Sequence, residues 1–498
     1  MVALATSYVG AAISIVKGIV LVPMYLDAFG VDVYGAWLAS ANVVGLLAMF
    51  DVGISAVVAQ RLATQWGAAD RESFARTTAA AVPLVLVVFV AMAGVGVAVA
   101  ARVPQWIQAP ADSHAALSLT FAMTAVGAAG ALALGNVLAV PSAWQRTEIA
   151  AAARLGGQIV DIVVIVVGLL SGLGVTALGL GSVASAVVGL GIALVWSVSA
   201  WRSLGLPFQW APWGEVLAFV RLVLPNTVSR IALQIGANVE VAFVSALISP
   251  TAAAVYALTD RTLRVAMGFV TPIANSVMSA LSHFHGEKGA AQMATPVREL
   301  LAIWAFVVSA TIPVVIVINA DFIGLWVGGD QFGGTLLNVL LGAAGMLGAR
   351  ELVSATVLTA SGKIRESAFI ATLEVGVRVP ATFFALHAFG VLGMPIASGL
   401  VSVLFLVIYG YAINDSLGLR GSTALRLHAS GATAALVGLG LAAAEAAWLP
   451  ATHSWPAFLL KASLVGLLHL ATASALQPTG RRAIWARLAA RLPRRAAA

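Results

Sequence analysis

Apolar residues fill this chain in long runs, broken at near-regular intervals by short polar turns. A helix needs about 20 apolar residues to cross the roughly 30 Å hydrocarbon core of a bilayer. Read in order, the runs predict fourteen membrane-spanning helices. The first six are Ala3–Leu26, Tyr34–Val58, Thr77–Ala101, Ala115–Val140, Ile149–Leu170 and Val175–Ala200. The stretch Val220–Ser282 holds the seventh and eighth, divided at Ser249-Pro250. Then come Leu300–Ala320, Thr335–Ala360, Ser367–Phe389, Val391–Ile413, His428–Leu449 and Trp455–Ala475. The first run has no basic segment before it and no small-residue cleavage site after it, so it reads as a retained helix rather than a signal peptide.

Within the seventh and eighth spans the polar residues are periodic. Asn226, Arg230, Gln234 and Asn238 recur every fourth residue, and Tyr256, Asp260, Arg264, Gly268, Thr271, Asn275 and Ser279 every third or fourth. Each set forms one stripe on a helix. A charge at the bilayer centre costs roughly 2.5–3.5 kcal/mol on insertion scales, so these stripes are expected to face protein or water. One reading is that they join helices; the other, suggested by two consecutive striped spans, is the wall of a cavity.

Composition agrees with the membrane reading. The chain is 61% hydrophobic and 9% charged, with a mean hydropathy of +0.99, against roughly 25% charged in soluble proteins. It has no cysteine, which excludes disulfides, thiolate metal sites and cysteine nucleophiles. The seven His show no ligand spacing, and neither a Walker loop nor a dinucleotide fingerprint is present; no metal or cofactor is expected. The net charge of +7 reports topology. With a cytoplasmic N-terminus, nineteen Lys and Arg fall on inside segments, including six in the tail from Gln477, and only Arg102 falls outside. That is a strong positive-inside bias, and it puts both termini in the cytoplasm. The basic residues are scattered over separate loops without an aromatic platform, so nucleic acid is not an expected partner; the tail is expected to lie against anionic membrane lipid.

An internal repeat of roughly 220 residues is visible: Tyr34 opens one span and Tyr256 another after short turns, and Gly174-Val175 and Gly390-Val391 precede corresponding spans. The expected architecture is an all-α polytopic membrane protein of two six-helix bundles, 1–200 and 219–413, in parallel repeat around a central cleft. A linker, 201–218, joins them; two further helices, 414–476, and a basic cytoplasmic tail, 477–498, follow. Spans one, two, seven and eight are expected to line the cleft.

The first hairpin reads Pro23-x-x-Leu26-x-x-x-Gly30-x-x-x-Tyr34-Gly35-x-Trp37, then Asp51-Val52-Gly53. The second half carries Ala254-Val255-Tyr256-Ala257-Leu258, Arg261, Pro272, Phe322-x-x-Leu325-Trp326-x-Gly328 and Thr359-Ala360-Ser361-Gly362-Lys363. Together, over residues 1 to 413, these resemble the Wzx-type polysaccharide flippases of the multidrug/oligosaccharidyl-lipid/polysaccharide exporter superfamily. Fourteen spans rather than twelve is also similar to the MurJ-type lipid II flippases. The resemblance implies a bacterial inner-membrane protein that moves undecaprenyl-pyrophosphate-linked sugar repeat units to the outer leaflet, for O-antigen, capsule or exopolysaccharide. Polysaccharide polymerase and chain-length machinery would be its further partners.

Such a task needs cations to replace the hydration of a pyrophosphate, and the planar Arg fork does this best. Candidate substrate contacts within spans are Lys17, Arg230, Arg261, Arg264, Arg378 and Arg350; candidate coupling or structural acids are Asp51, Asp161, Glu240, Asp260, Glu351 and Glu374. Asp260 with Arg264, and Glu374 with Arg378, have the i,i+4 spacing of plain intrahelical pairs. Arg230 and Lys17 lack a carboxylate on their own helix turn and are the leading phosphate contacts. Arg154, Gln158 and Asp161 form a stripe that favours structural pairing, and Asp51 is expected to brace the inner end of its span. Glu445 and Lys461 lie close enough to span ends to snorkel. Two other classes compete with the flippase: a drug or cation antiporter resembling the multidrug and toxin extrusion proteins, and a membrane polymerase or ligase. The signature of the former is lone membrane acids, whereas the central acids here come with adjacent Arg; the latter needs a substantial outside loop with catalytic groups, and the outside loops here are short and poor in acid-base residues.

Overall fold

A computed structural model describes residues 2–51, 54–203, 205, 210, 212, 214, 216–217, 231, 234–236, 238–289, 292–421 and 432–491. Every regular element among them is helical. Nine helical stretches are long and apolar enough to cross a membrane, among them Ile364–Leu417, which holds two helices. The protein is a multi-pass, all-helical membrane protein. It divides into two compact units, Met1–Ala254 and Val255–Ala498.

In the first unit the two predicted opening spans form two helices that meet at Gly30, here labelled together α1 (Val2–Leu47); the φ of Gly30, 77°, is a left-handed conformation. Glycine takes that conformation without steric cost, so the expected turn at Asp27–Val33 shrinks to one residue. Four residues on, Tyr34 is 1% exposed, packed with Tyr25 and Trp37. After a 3-10 turn at Ala48–Asp51 comes α2 (Ile54–Gly67), covering much of what reads as a polar segment in the sequence. Its Ile54, Val58 and Leu62 are buried while Gln60 and Arg61 are exposed, the spacing of an amphipathic helix. Asp70 caps α3 (Arg71–Val99), its carboxylate accepting from the Ser73 N–H at 3.0 Å.

The short α4 (Val103–Trp106) leads to α5 (His114–Val137), α6 (Ala139–Ala143), α7 (Thr147–Leu170) and α8 (Thr176–Ser203). Helices α5 and α7 both pack along α8. The approach is close because small residues line it: a Cβ on Gly127 would lie 2.7 Å from the carbonyl carbon of Ser182, the small-residue packing of membrane bundles. The unit's last described helix is α9 (Glu240–Leu247); most of the predicted seventh span lies outside the described residues.

Helix α10 (Pro250–Lys288) contains the division between the units. The second unit continues with α11 (Ala294–Trp326), α12 (Thr335–Ala360), α13 (Ile364–Phe389), α14 (Gly393–Leu417), α15 (Ala432–Trp448) and α16 (Trp455–Leu476). Helix α11 is its core, packing against α12, α15, α16 and α17 (Pro478–Arg491). The start of the basic tail is therefore folded, with Gly480 close against the Ala302 carbonyl of α11.

Candidate functional site

The charged residues within the helices gather into a few clusters, each inside one unit. In the first unit, α1 presents Lys17 to α7, where it makes an ion pair with Asp161. The two lie 144 residues apart in sequence. Lys17 has no carboxylate on its own turn, as the spacing shows; its counter-charge comes from a neighbouring helix, which spacing cannot reveal. On the same stripe of α7, the Gln158 side chain lies 3.6 Å from where a Cβ on Gly10 would stand, and Arg154 is exposed. Gln158 Oε1 is buried without a hydrogen-bond partner among the described residues.

The polar stripe expected on the seventh span is described at Gln234 and Asn238. Gln234 Nε2 donates to the Gly45 carbonyl of α1 at 2.7 Å, and Asn238 Nδ2 donates to the Gln234 carbonyl at 2.9 Å. Both side chains face α1, with Asn238 Oδ1 close against Gly45, and the Gln234 bond joins the two helices. Asn226 and Arg230, the leading phosphate contact, lie outside the described residues, as does the side chain of Asp51. Glu240 is half-buried in the first turn of α9.

In the second unit, Asp260 and Arg264 form the intrahelical pair their spacing suggests, with the Arg264 side chain 59% exposed. Arg261, beside them on α10, is half-buried and has neither ion pair nor hydrogen bond among the described residues. Thr271, Asn275 and Ser279 continue α10, their side chains outside the described residues.

The densest cluster joins α12, α13 and α14. Arg378 Nη2 donates to Glu374, one turn away, to Glu351 Oε2 on α12 at 3.2 Å, and to Ser402 Oγ on α14 at 3.3 Å. Ser402 in turn donates to Glu351 Oε2 at 2.8 Å. The i,i+4 pair is thus only part of a network in which two carboxylates share one guanidinium. Glu351 Oε1 is buried with no hydrogen-bond partner among the described residues. With both carboxylates ionised, the Glu351, Glu374 and Arg378 side chains together sum to one negative charge. Arg350, the preceding residue on α12, is buried; it donates to Ser354 Oγ at 2.6 Å, with its guanidinium 5.7 Å from the centre of the Trp304 ring.

Three further clusters escaped the sequence reading. Asn319 of α11 donates to the Thr259 carbonyl and to Asn338 of α12, both at 2.8 Å, and accepts from Thr262; lone amides inside apolar runs were the available signal. Asp321 lies in the last two turns of α11, 5% exposed, rather than in the outside turn assigned to it. It accepts from Lys461 Nζ at 2.7 Å and from the Thr452 N–H at 3.0 Å. Lys461 therefore pairs inward instead of snorkelling, and Glu445 likewise meets the fully buried His469 at 3.0 Å. Both corrections have one cause: a polar partner on a neighbouring helix. Among the described residues no group of His, Asp or Glu is arranged to hold a metal ion.

Residues 86–333, slightly less than half of the chain, match a family model described as "Polysaccharide biosynthesis protein". No curated protein matches the chain by sequence. Among solved structures, the lipid II flippase MurJ in an inward closed conformation is 11% identical, with a TM-score of 0.69, over 95% of this chain and 98% of that one. An inward-facing multidrug resistance MATE family transporter of the MOP superfamily is 16% identical, with a TM-score of 0.64, over 80% and 94%. The Vibrio cholerae MATE transporter VcmN in its bent form is 13% identical, with a TM-score of 0.54, over 84% and 98%. The chain thus has the fold that these MATE transporters and MurJ share.

Proposed function

We propose that this protein is a flippase that carries undecaprenyl-pyrophosphate-linked oligosaccharide repeat units across the bacterial inner membrane for surface polysaccharide assembly. The observation that carries this reading is the match of residues 86–333 to the polysaccharide biosynthesis family, in a chain whose fold is that of membrane transporters and a lipid II flippase. The polar handle of such a substrate is a pyrophosphate, and Arg261 supports its capture as the half-buried cation of α10 with no ion pair among the described residues. Lys17 retains two further ammonium donors beside its bond to Asp161, since an ammonium has three. Arg230 is retained as a phosphate contact on sequence grounds. The surplus carboxylate of the Glu351–Arg378–Glu374 cluster is the place where a coupling proton or cation would bind.

Deletion of the gene tests the reading. The expected result is loss of surface polysaccharide with lipid-linked single repeat units accumulating on the cytoplasmic face. Normal polysaccharide with heightened sensitivity to cationic dyes would replace it with the antiporter reading. Accumulation of lipid II in place of the repeat units would assign the cargo of the MurJ neighbour. In the complemented strain, Arg261→Ala is expected to cut export at least tenfold at normal protein level, with Arg261→Lys recovering part of it, because an ammonium keeps the charge and loses the fork.

A further inference from the structure

The first unit holds a groove of about 580 Å³ between α2, α3, α5 and α8. Its floor is apolar and closed: Val58, Leu62 and Ala81 are 2%, 1% and 6% exposed. Its rim stands open, with Leu86, Leu194 and Val198 51%, 45% and 46% exposed. The groove is polar at one end only, where Arg202 closes the last turn of α8 beside Trp201 and Ser197. Arg202 is exposed and makes no ion pair among the described residues, and Ser197 Oγ is buried without a hydrogen-bond partner there. A helix hydroxyl in an apolar setting ordinarily bonds back to its own helix.

We propose that this groove binds one acyl chain of an anionic phospholipid, with the lipid phosphate held by Arg202 and the Ser197 hydroxyl within reach of its ester oxygens. Charge complementarity selects the headgroup: Arg202 is the one charged residue lining a slot whose other polar members are Thr78, Asn136 and Ser197, and a guanidinium binds a phosphate in charge-assisted hydrogen bonds. Length selects the chain. The lining on α8 runs from Leu190 to Arg202, about 18 Å of helix at about 1.5 Å per residue, which suits a single acyl chain spanning one leaflet, about 15 Å deep. Arg202 lies on the Arg-rich side of the chain, so the bound lipid belongs to that leaflet. The site is separate from the charged clusters above.

Native mass spectrometry of the full-length protein, equilibrated in nanodiscs of equal phosphatidylglycerol and phosphatidylcholine, tests the proposal. One phospholipid per chain is expected to survive release, with phosphatidylglycerol preferred about fivefold. Arg202→Gln, an exposed change that leaves folding untouched, is expected to bring that preference to parity. Ala133→Phe fills the groove and is expected to remove the retained lipid with Arg202 intact; Val198→Trp at the open rim serves the same purpose if the first variant does not fold. No retained lipid in the wild type, or retention and preference unchanged in the variants, overturns the proposal. So does undecaprenyl phosphate displacing the phospholipid at equal concentration, which would assign the groove to a polyprenyl chain.

Discussion

Single residues decide how this chain tolerates charge in hydrocarbon. Arg378 neutralises parts of two carboxylates at once. Replacing it by Ala strands both, and breaking a buried pair from one side costs about 3–5 kcal/mol. Arg378→Ala is therefore expected to lower the thermal midpoint of the detergent-solubilised protein far more than Arg378→Ala combined with Glu351→Gln and Glu374→Gln; equal midpoints would show that the charges do not interact. Lys17 invites a sharper question, because its ion pair and a phosphate contact can be separated. If pairing is its whole role, Lys17→Asp with Asp161→Lys restores both stability and export; if it also holds phosphate, the swap restores stability alone. Part of this was legible in the sequence: the i,i+4 spacing of Asp260–Arg264 and Glu374–Arg378 announces pairs that a helix must bring together. Glu351, Asp161 and Asp321 find their cations on other helices, and spacing along one helix holds no information about its neighbours.

At the scale of elements, apolar run length located helices well and their ends unevenly. Thr335–Ala360 is a helix with the bounds predicted for it, because Gly-rich and Ser-Gly turns flank it. The opening hairpin differs since one left-handed glycine suffices to redirect a helix, and α2 was missed since hydropathy averages away an amphipathic face. Close packing of these elements makes Gly35 sensitive. A Cβ there would lie 1.8 Å from the Pro250 carbonyl oxygen, so Gly35→Ala forces backbone apart. Overpacking of this kind costs about 1–3 kcal/mol, visible as a lower thermal midpoint, whereas Gly67→Ala, with open space around it, is expected to leave the midpoint unchanged. The Asp70 cap gives α3 a pH dependence. The Ser73 backbone N–H, then its hydroxyl, hold the Asp70 carboxyl below its ordinary value of 3.8. A depressed folded value means that the cap's stabilisation is fully present above pH 3.8 and is lost as pH falls through the lower folded value. Protection of the Ser73 amide is expected to hold down to pH 3.8 and to fall at lower pH in the wild type, and to be low at every pH in Asp70→Ala.

For the whole molecule, the Lys and Arg distribution predicts a topology that can be measured directly. Reporter fusions after Arg482 and within residues 327–334, the turn that follows α11, are expected to report opposite sides of the membrane; the same side for both would refute cytoplasmic termini. The bounds of the spans were harder to read than their existence, since the second predicted span runs on into the separate helix α2 and much of the seventh lies outside the described residues. The long-range ion pairs bear on how the molecule is made. Lys17 precedes its partner by 144 residues and Asp321 precedes Lys461 by 140. At synthesis rates of about 5–20 residues per second, each of these charges waits roughly 7–30 s on the ribosome's clock before its counter-ion exists. During that interval α1 and α11 must rest at the edge of the insertion machinery, or with the charge still wetted, and settle fully only when α7 and α16 arrive. Membrane integration of this chain is therefore a retained, ordered process, in which a ribosome stalled before residue 461 would hold α11 with its acid still waiting for an ammonium.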